Sequence, residues 1–274
     1  MEWWQALLLG LVQGLTEFLP VSSSGHLMIF RELLGVDAEG FLDFTVTVHF
    51  ATVIATIVVF WSAIWALLKG LFKFRYNDET DYVLKICVSM IPVAVVGFCF
   101  KDVVEGMFGD NLRTVAVCLL ITAVLLFVSD HFSIFGGKRK AAAREYRNGI
   151  SYWQAFVVGL GQACAVAPGL SRSGTTIATG LVCGVRRDVM AQFSFLMVLV
   201  PIIGEQALDI LKTVAGAESF GGEVCALALV LGFVSAFIAG WFACRVMISI
   251  VRKARLSWFS LYCLVVAITI FVVC

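Results

Sequence analysis

Hydrophobic residues run along this chain in long unbroken stretches, and polar residues gather between them. Three windows hold no acidic or basic residue: Phe44 to Leu68, Val224 to Cys244 and Leu256 to Cys274. Three more hold one each: Tyr82 to Phe100 with Lys85, Leu112 to Ser129 with Arg113, and Val189 to Leu208 with Glu205. A helix needs about 20 apolar residues to cross about 30 Å of hydrocarbon, so the pattern predicts six transmembrane helices. Two further apolar segments, 1–43 and 150–188, are interrupted by Gly, Pro and Ser and do not read as simple spans.

Lys and Arg in short loops mark the cytoplasmic side. They concentrate in residues 69–81 (Lys69, Lys73, Arg75), in 131–149 (Lys138, Arg139, Lys140, Arg144, Arg147) and in 245–255 (Arg245, Arg252, Lys253, Arg255). The connection 31–43 has only Arg31 among Glu32, Asp37, Glu39 and Asp43, and 213–223 has no basic residue. The six spans then alternate correctly on one condition. Segment 1–43 must enter and leave on the outer side, and 150–188, which ends near Arg186 and Arg187, on the inner side.

Those two segments are related. At an offset of 149, Trp4-Gln5-Ala6 matches Trp153-Gln154-Ala155, Gly10-Leu11 matches Gly159-Leu160, and Gln13 matches Gln162. Ser22, Ser24 and Gly25 match Ser171, Ser173 and Gly174, which makes nine identities in the 23 positions from Trp4 to His26. Gln, Gly, Ser and Trp are not residues that lipid selects by default. The expected fold is therefore an all-α integral membrane protein with six transmembrane helices and two broken re-entrant helical hairpins, related by an inverted repeat. It forms a single membrane domain over 1–274, with halves of roughly 1–130 and 150–274 joined by a cytoplasmic linker, 131–149. Broken segments of inverted repeats meet near the midplane and build binding sites there, so the two Ser/Gly tips should face one polar pocket.

Composition agrees with a place in lipid. The 274 residues are 61% hydrophobic and 14% charged, against about 45–50% and about 25% in soluble domains. A net charge of +1 gives no case for nucleic acid or for a polybasic patch. The nine cysteines have no CxxC pair and read as small apolar filler. Glu2, Glu17 and Pro20 interrupt the start, which lacks the basic region of a cleaved signal peptide and is expected to be retained.

The candidate chemistry lies at the tips. Gln13 and Glu17, four apart, share a helix face, and a carboxylate at membrane depth marks function by default. Ser22, Ser23 and Ser24, followed by Gly25 and His26, form a hydroxyl-rich turn, and a helix starting there would offer an anion site. Arg172, between Ser171 and Ser173, has no acidic neighbour in sequence; its fork suits phosphate, although a salt bridge to Glu17 or Glu205 would also satisfy it. His26 suits acid/base or nucleophilic work. His49 reads as a packing residue and His131 as solvated. Together these are parts for phosphoryl transfer, while the absence of GxxxxGK[ST] leaves nucleotide hydrolysis unsupported.

Gln13-Gly-Leu-Thr-Glu17-Phe-Leu-Pro20-Val-Ser-Ser23-Ser-Gly-His26 and Pro168-Gly-Leu-Ser171-Arg172-Ser-Gly174 resemble the two signature motifs of the bacterial undecaprenyl-diphosphate phosphatase family. The resemblance spans essentially the whole chain. It implies hydrolysis of undecaprenyl diphosphate to undecaprenyl phosphate, which recycles the lipid carrier of cell-wall synthesis. It also implies a divalent cation, Mg²⁺ or Ca²⁺, and a pocket open to the outer face of the bacterial cytoplasmic membrane. Carried over residue by residue, Glu17 and Gln13 would hold the metal and Arg172 would clamp the diphosphate. Ser23 is the preferred nucleophile and His26 its acid/base partner, with the reverse assignment left open. Ser22, Ser24, Gly25, Ser171, Ser173, Gly174 and Thr175 would supply donors to phosphate oxygens. The expected partners are the polyprenyl diphosphate and membrane lipid, and a homodimer is allowed.

Two other readings compete. A transporter or flippase of a polyprenyl phosphate could use the same inverted architecture. The type-2 phosphatidic-acid phosphatases use similar Ser-Gly-His and Ser-Arg elements, but they need a later His, and none follows His131.

Overall fold

The computed structural model describes residues 1–37, 40–100, 112–135, 146–167, 169–214, 225–253 and 255–273. Lys138, Arg139, Lys140 and Arg144 of the basic linker, Pro168 and most of the 213–223 connection lie outside them. Every regular element among the described residues is helical. In chain order they are α1 (Trp3–Phe18), α2 (Ser23–Leu33), α3 (Phe41–Val59), α4 (Trp61–Leu71), α5 (Asp78–Cys99) and α6 (Leu112–Phe135). After a 3₁₀ turn at Arg147–Gly149 come α7 (Tyr152–Cys164), α8 (Arg172–Val182), α9 (Arg187–Val214), α10 (Ala226–Lys253) and α11 (Ser257–Val273).

Five helices, α3, α5, α6, α9 and α10, are long and apolar enough to cross a membrane, and α11, at 17 residues, is a shorter apolar helix. Large apolar side chains such as Ile91, Val124, Ile238 and Val265 face outward on these helices, as a lipid-facing surface requires. The predicted span Phe44 to Leu68 is corrected: it breaks at Phe60, which leaves helical geometry at φ −96°, ψ 13°. Phe60 is buried against Phe195, with ring centroids 5.9 Å apart. Beyond the break, exposed Trp61 and Trp65 stack and Lys69 lies over the Trp65 ring. Trp and Lys belong at a membrane interface, so hydropathy alone carried the predicted span past its end.

The repeat is visible in the fold. Helix α2 and helix α8 occupy the same limits at the 149-residue offset, and each follows a longer partner that ends before the tip, α1 or α7. Gln5 reaches across the first hairpin to the carbonyl of Leu34, and Gln154 reaches the carbonyl of Cys183, both at 3.0 Å. These bonds are equivalent at the same offset, so the shared Gln is a hairpin clasp. The halves interlock: α1 packs on α10, α7 on α5, and α6 on α11.

Small residues permit that interlocking. Helix α1 buries Ala6, Leu9, Gly10, Gln13 and Gly14 on one face and exposes Leu7, Leu8, Leu11 and Leu15 on the other. A Cβ at Gly10 would overlap the Gly232 carbonyl, and one at its repeat partner Gly159 would overlap the Ser89 carbonyl. Close backbone approach between small residues is the main attraction available between helices in lipid.

Near the start of α5, Asp81 and Lys85 form a buried ion pair at 2.6 Å. Asp81 also accepts from Tyr76, Tyr152 and Asn148, and Lys85 donates to the Arg147 carbonyl. Asp130 of α6 takes Arg187 and both the amide and the hydroxyl of Ser257, tying α9 and α11 to α6.

Gly159→Leu should lower stability by about 1–3 kcal/mol through overpacking, whereas Gly97→Leu, which has open space around it, should leave the unfolding midpoint in detergent unchanged. Lys85→Ala leaves Asp81 without its cation and should cost about 3–5 kcal/mol, read in the same denaturation assay.

Candidate functional site

The two tips meet. Ser22 caps α2 by accepting from the Gly25 amide at 3.3 Å, and Ser171 caps α8 by accepting from Gly174 at 3.1 Å. These bonds account for the serine and glycine repeated at those places, since a side-chain oxygen must satisfy the free amides of a helix start. Across the hairpins, the Gly169 amide donates to Ser24 and the Ser173 hydroxyl donates to the Leu19 carbonyl. Gly169 has φ +86°, and a Cβ there would press on Val115, so this turn admits glycine only. Ser22 adopts φ +70° without being glycine, a strained geometry of the kind that collects at functional sites.

Glu17, at the end of α1, lies at the junction. Its Oε2 accepts from Ser23 Oγ at 2.6 Å and from Gln13 Nε2 at 2.8 Å. Its Oε1 faces the Arg172 guanidinium at 3.8 Å, and Oε2 faces His49 Nε2 at 3.8 Å. Only 10% of the Glu17 side chain is exposed, against 27% for Arg172. Arg172 makes no hydrogen bond through its guanidinium among the described residues, so its donors remain for a ligand. Glu205, the other carboxylate expected near Arg172, has its side chain outside the described residues.

His26 is held differently. Its Nδ1 lies 2.7 Å from the Ser22 carbonyl and its Nε2 lies 2.8 Å from the Tyr262 hydroxyl, against which the ring stacks. A carbonyl oxygen only accepts, so Nδ1 carries a proton, and the neutral ring accepts from Tyr262 at Nε2. Both nitrogens are engaged, and the side chain is buried. The hydrogen-bond partner of Ser23 is Glu17.

Two residues that the sequence did not assign to the tips touch them, Tyr262 through His26 and His49 through Glu17. Tyr262 lies in an unbroken apolar window with no local signal. His49 had one: Thr45, His49, Thr52 and Thr56 recur along one helix face of an otherwise apolar span, and such a stripe points inward.

The donor set suits a hard cation. Gln13 Oε1 is buried with no partner, beside a carboxylate. A magnesium-like ion takes one or two protein oxygens and completes its shell from phosphate. Among the described residues no three His, Cys, Asp or Glu side chains cluster as a closed metal site, so most ligands would come from the substrate. In the second hairpin, both amide atoms of Gln162 and the Thr175 hydroxyl are also buried and unpartnered.

The family profile of the bacitracin resistance protein BacA matches residues 6–269. The chain belongs to the BacA family. An undecaprenyl-diphosphatase of Bacteroides fragilis is 50% identical over 273 residues, covering 100% of this chain and 98% of its own. One from Parabacteroides distasonis is 52% identical over 263 residues, covering 96% and 95%. One from Methanobrevibacter smithii is 35% identical over 280 residues, covering 97% and 96%. The BacA profile takes in both hairpins, so Glu17, Ser23 and Arg172 all lie inside the matched region.

Proposed function

We propose that this protein hydrolyses undecaprenyl diphosphate to undecaprenyl phosphate and inorganic phosphate. The relatives carry that activity in their names, and one observation supports the chemistry here: Ser23 is hydrogen-bonded to a buried carboxylate that also faces an arginine with uncommitted donors. Ser23 Oγ attacks the terminal phosphorus, and Glu17 takes its proton. The bond from that phosphorus to the bridging oxygen breaks, and undecaprenyl phosphate leaves with the electron pair. Water then attacks the phosphoserine, inorganic phosphate departs, and Ser23 recovers its proton from Glu17. Arg172 and the amides of the two tips hold the phosphate oxygens as charge develops, where preorganised donors contribute most. His26 braces the first tip against α11 through Tyr262.

Glu17 and Gln13 would hold a divalent cation, Mg²⁺ or Ca²⁺, which when bound neutralises diphosphate charge. The polyprenyl chain is already in hydrocarbon and gains little by moving along the helices, so selectivity rests on the head group. In this reading the chain has six spans and two re-entrant hairpins, and the site lies in the cytoplasmic membrane and opens to the outer face. The basic loops support that orientation.

Ser23→Ala, Glu17→Ala and Arg172→Ala should each lower phosphate release from undecaprenyl diphosphate in detergent by about a hundredfold or more, with monodispersity unchanged. Removal of an electrostatic donor or nucleophile has effects of that order. Near-normal turnover by Arg172→Ala would remove the clamp. EDTA should abolish release and added Mg²⁺ or Ca²⁺ restore it; full rate in EDTA would remove the metal.

A further inference from the structure

The repeat supplies an internal control for the site. At the 149-residue offset Phe44 of α3 aligns with Phe193 of α9, and both are fully buried; Thr45 aligns with Ser194 in the same register. In that register Glu17 corresponds to Val166 and His49 corresponds to Val198. The half with the carboxylate carries the imidazole, and the half without the carboxylate carries neither. The two polar residues lie on different helices and are 32 positions apart in sequence, and the second half has valine at both places. Their contact at 3.8 Å gives that pairing a physical cause.

We propose that His49 is a positioning residue that holds Glu17 in the orientation that accepts from Ser23, an inference that rests on the phosphatase reading above. The ring is fixed by its own helix: Nδ1 lies 2.9 Å from the Thr45 carbonyl, one turn back. That leaves Nε2 facing the carboxylate at 3.8 Å, where the ring attracts the anion as an ion pair when it carries a proton on both nitrogens. Glu17 has four polar partners, and two of them, Gln13 and Ser23, belong to the first hairpin. When Arg172 turns to a diphosphate its hold on Oε1 weakens. His49, on a packed span, then remains the contact from outside the hairpin that keeps the carboxylate from swinging toward the bound phosphates. His26 cannot do this work while both its nitrogens are engaged elsewhere.

The test is steady-state phosphate release from undecaprenyl diphosphate in detergent by wild type, Ser23→Ala, His49→Ala, His49→Gln and His49→Asn, each checked for monodispersity. Wild-type turnover that is lost in Ser23→Ala establishes the phosphatase reading by itself. His49→Ala should then lower kcat about tenfold or more with KM within about threefold. His49→Gln, whose amide reaches as far as the imidazole Nε2, should recover to within about fivefold of wild type. His49→Asn, polar but too short, should not; the Gln and Asn pair decides the matter even if the Ala variant does not fold. Four results overturn the proposal: His49→Ala within twofold of wild type, Gln no better than Asn, a rise in KM at unchanged kcat, or a wild type that releases no phosphate. The last brings down the phosphatase reading with it, and the first three leave that reading standing.

Discussion

A buried carboxylate is the constraint around which this molecule is arranged. Ionised and alone in a medium of low polarity, Glu17 would be prohibitively costly, and the described polar groups around it are donors or potential cations. Gln13 comes from the same helix, Ser23 from the turn that follows, His49 from α3 and Arg172 from the opposite hairpin. Satisfying one charge therefore joins four elements and both halves of the chain. The Ser23 hydroxyl is oriented by the same bond that stabilises the carboxylate, so a change at either residue disturbs both.

The packing around the site follows from the same economy of polar groups. Helices in lipid have little hydrophobic driving force between them, and here contact comes from glycine crossings and from clasps such as Gln5 to Leu34 and its copy Gln154 to Cys183. At the helix ends, buried charges are paired and hydrogen-bonded, as with Asp81 and Asp130. Rigid scaffolding at both levels leaves the tips, with strained Ser22 and a glycine-only turn at Gly169, as the places where backbone geometry departs from the ordinary.

Much of this was legible in the residues themselves. Unbroken apolar windows located the long helices because lipid imposes a length, and the repeat exposed the two hairpins because Gln, Gly and Ser have no reason to recur in lipid without a structural role. Glu17, Ser23 and Arg172 stood out as polar residues at breaks, and they do converge. What could not be read was direction. Whether His26 turns toward Ser23 or toward Tyr262 depends on a helix 236 residues away in sequence, and no local pattern encodes it. The approach of His49 to Glu17 was equally hidden, because His49 sits in the middle of an apolar window and its neighbour across the helices lies 32 residues back in sequence. The end of the span at Phe60 was missed because tryptophan raises hydrophobicity at an interface as much as in a core.

The aligned places of Ser23 and Arg172 show where the two tips part company. Ser22, Ser24, Ser171 and Ser173 are shared by both copies, so the contrast between the tips is concentrated in this one pair. Two identical tips would bring the same group to both places and set like against like across the junction. A hydroxyl at one and a positive charge at the other lets a single carboxylate bridge the two copies.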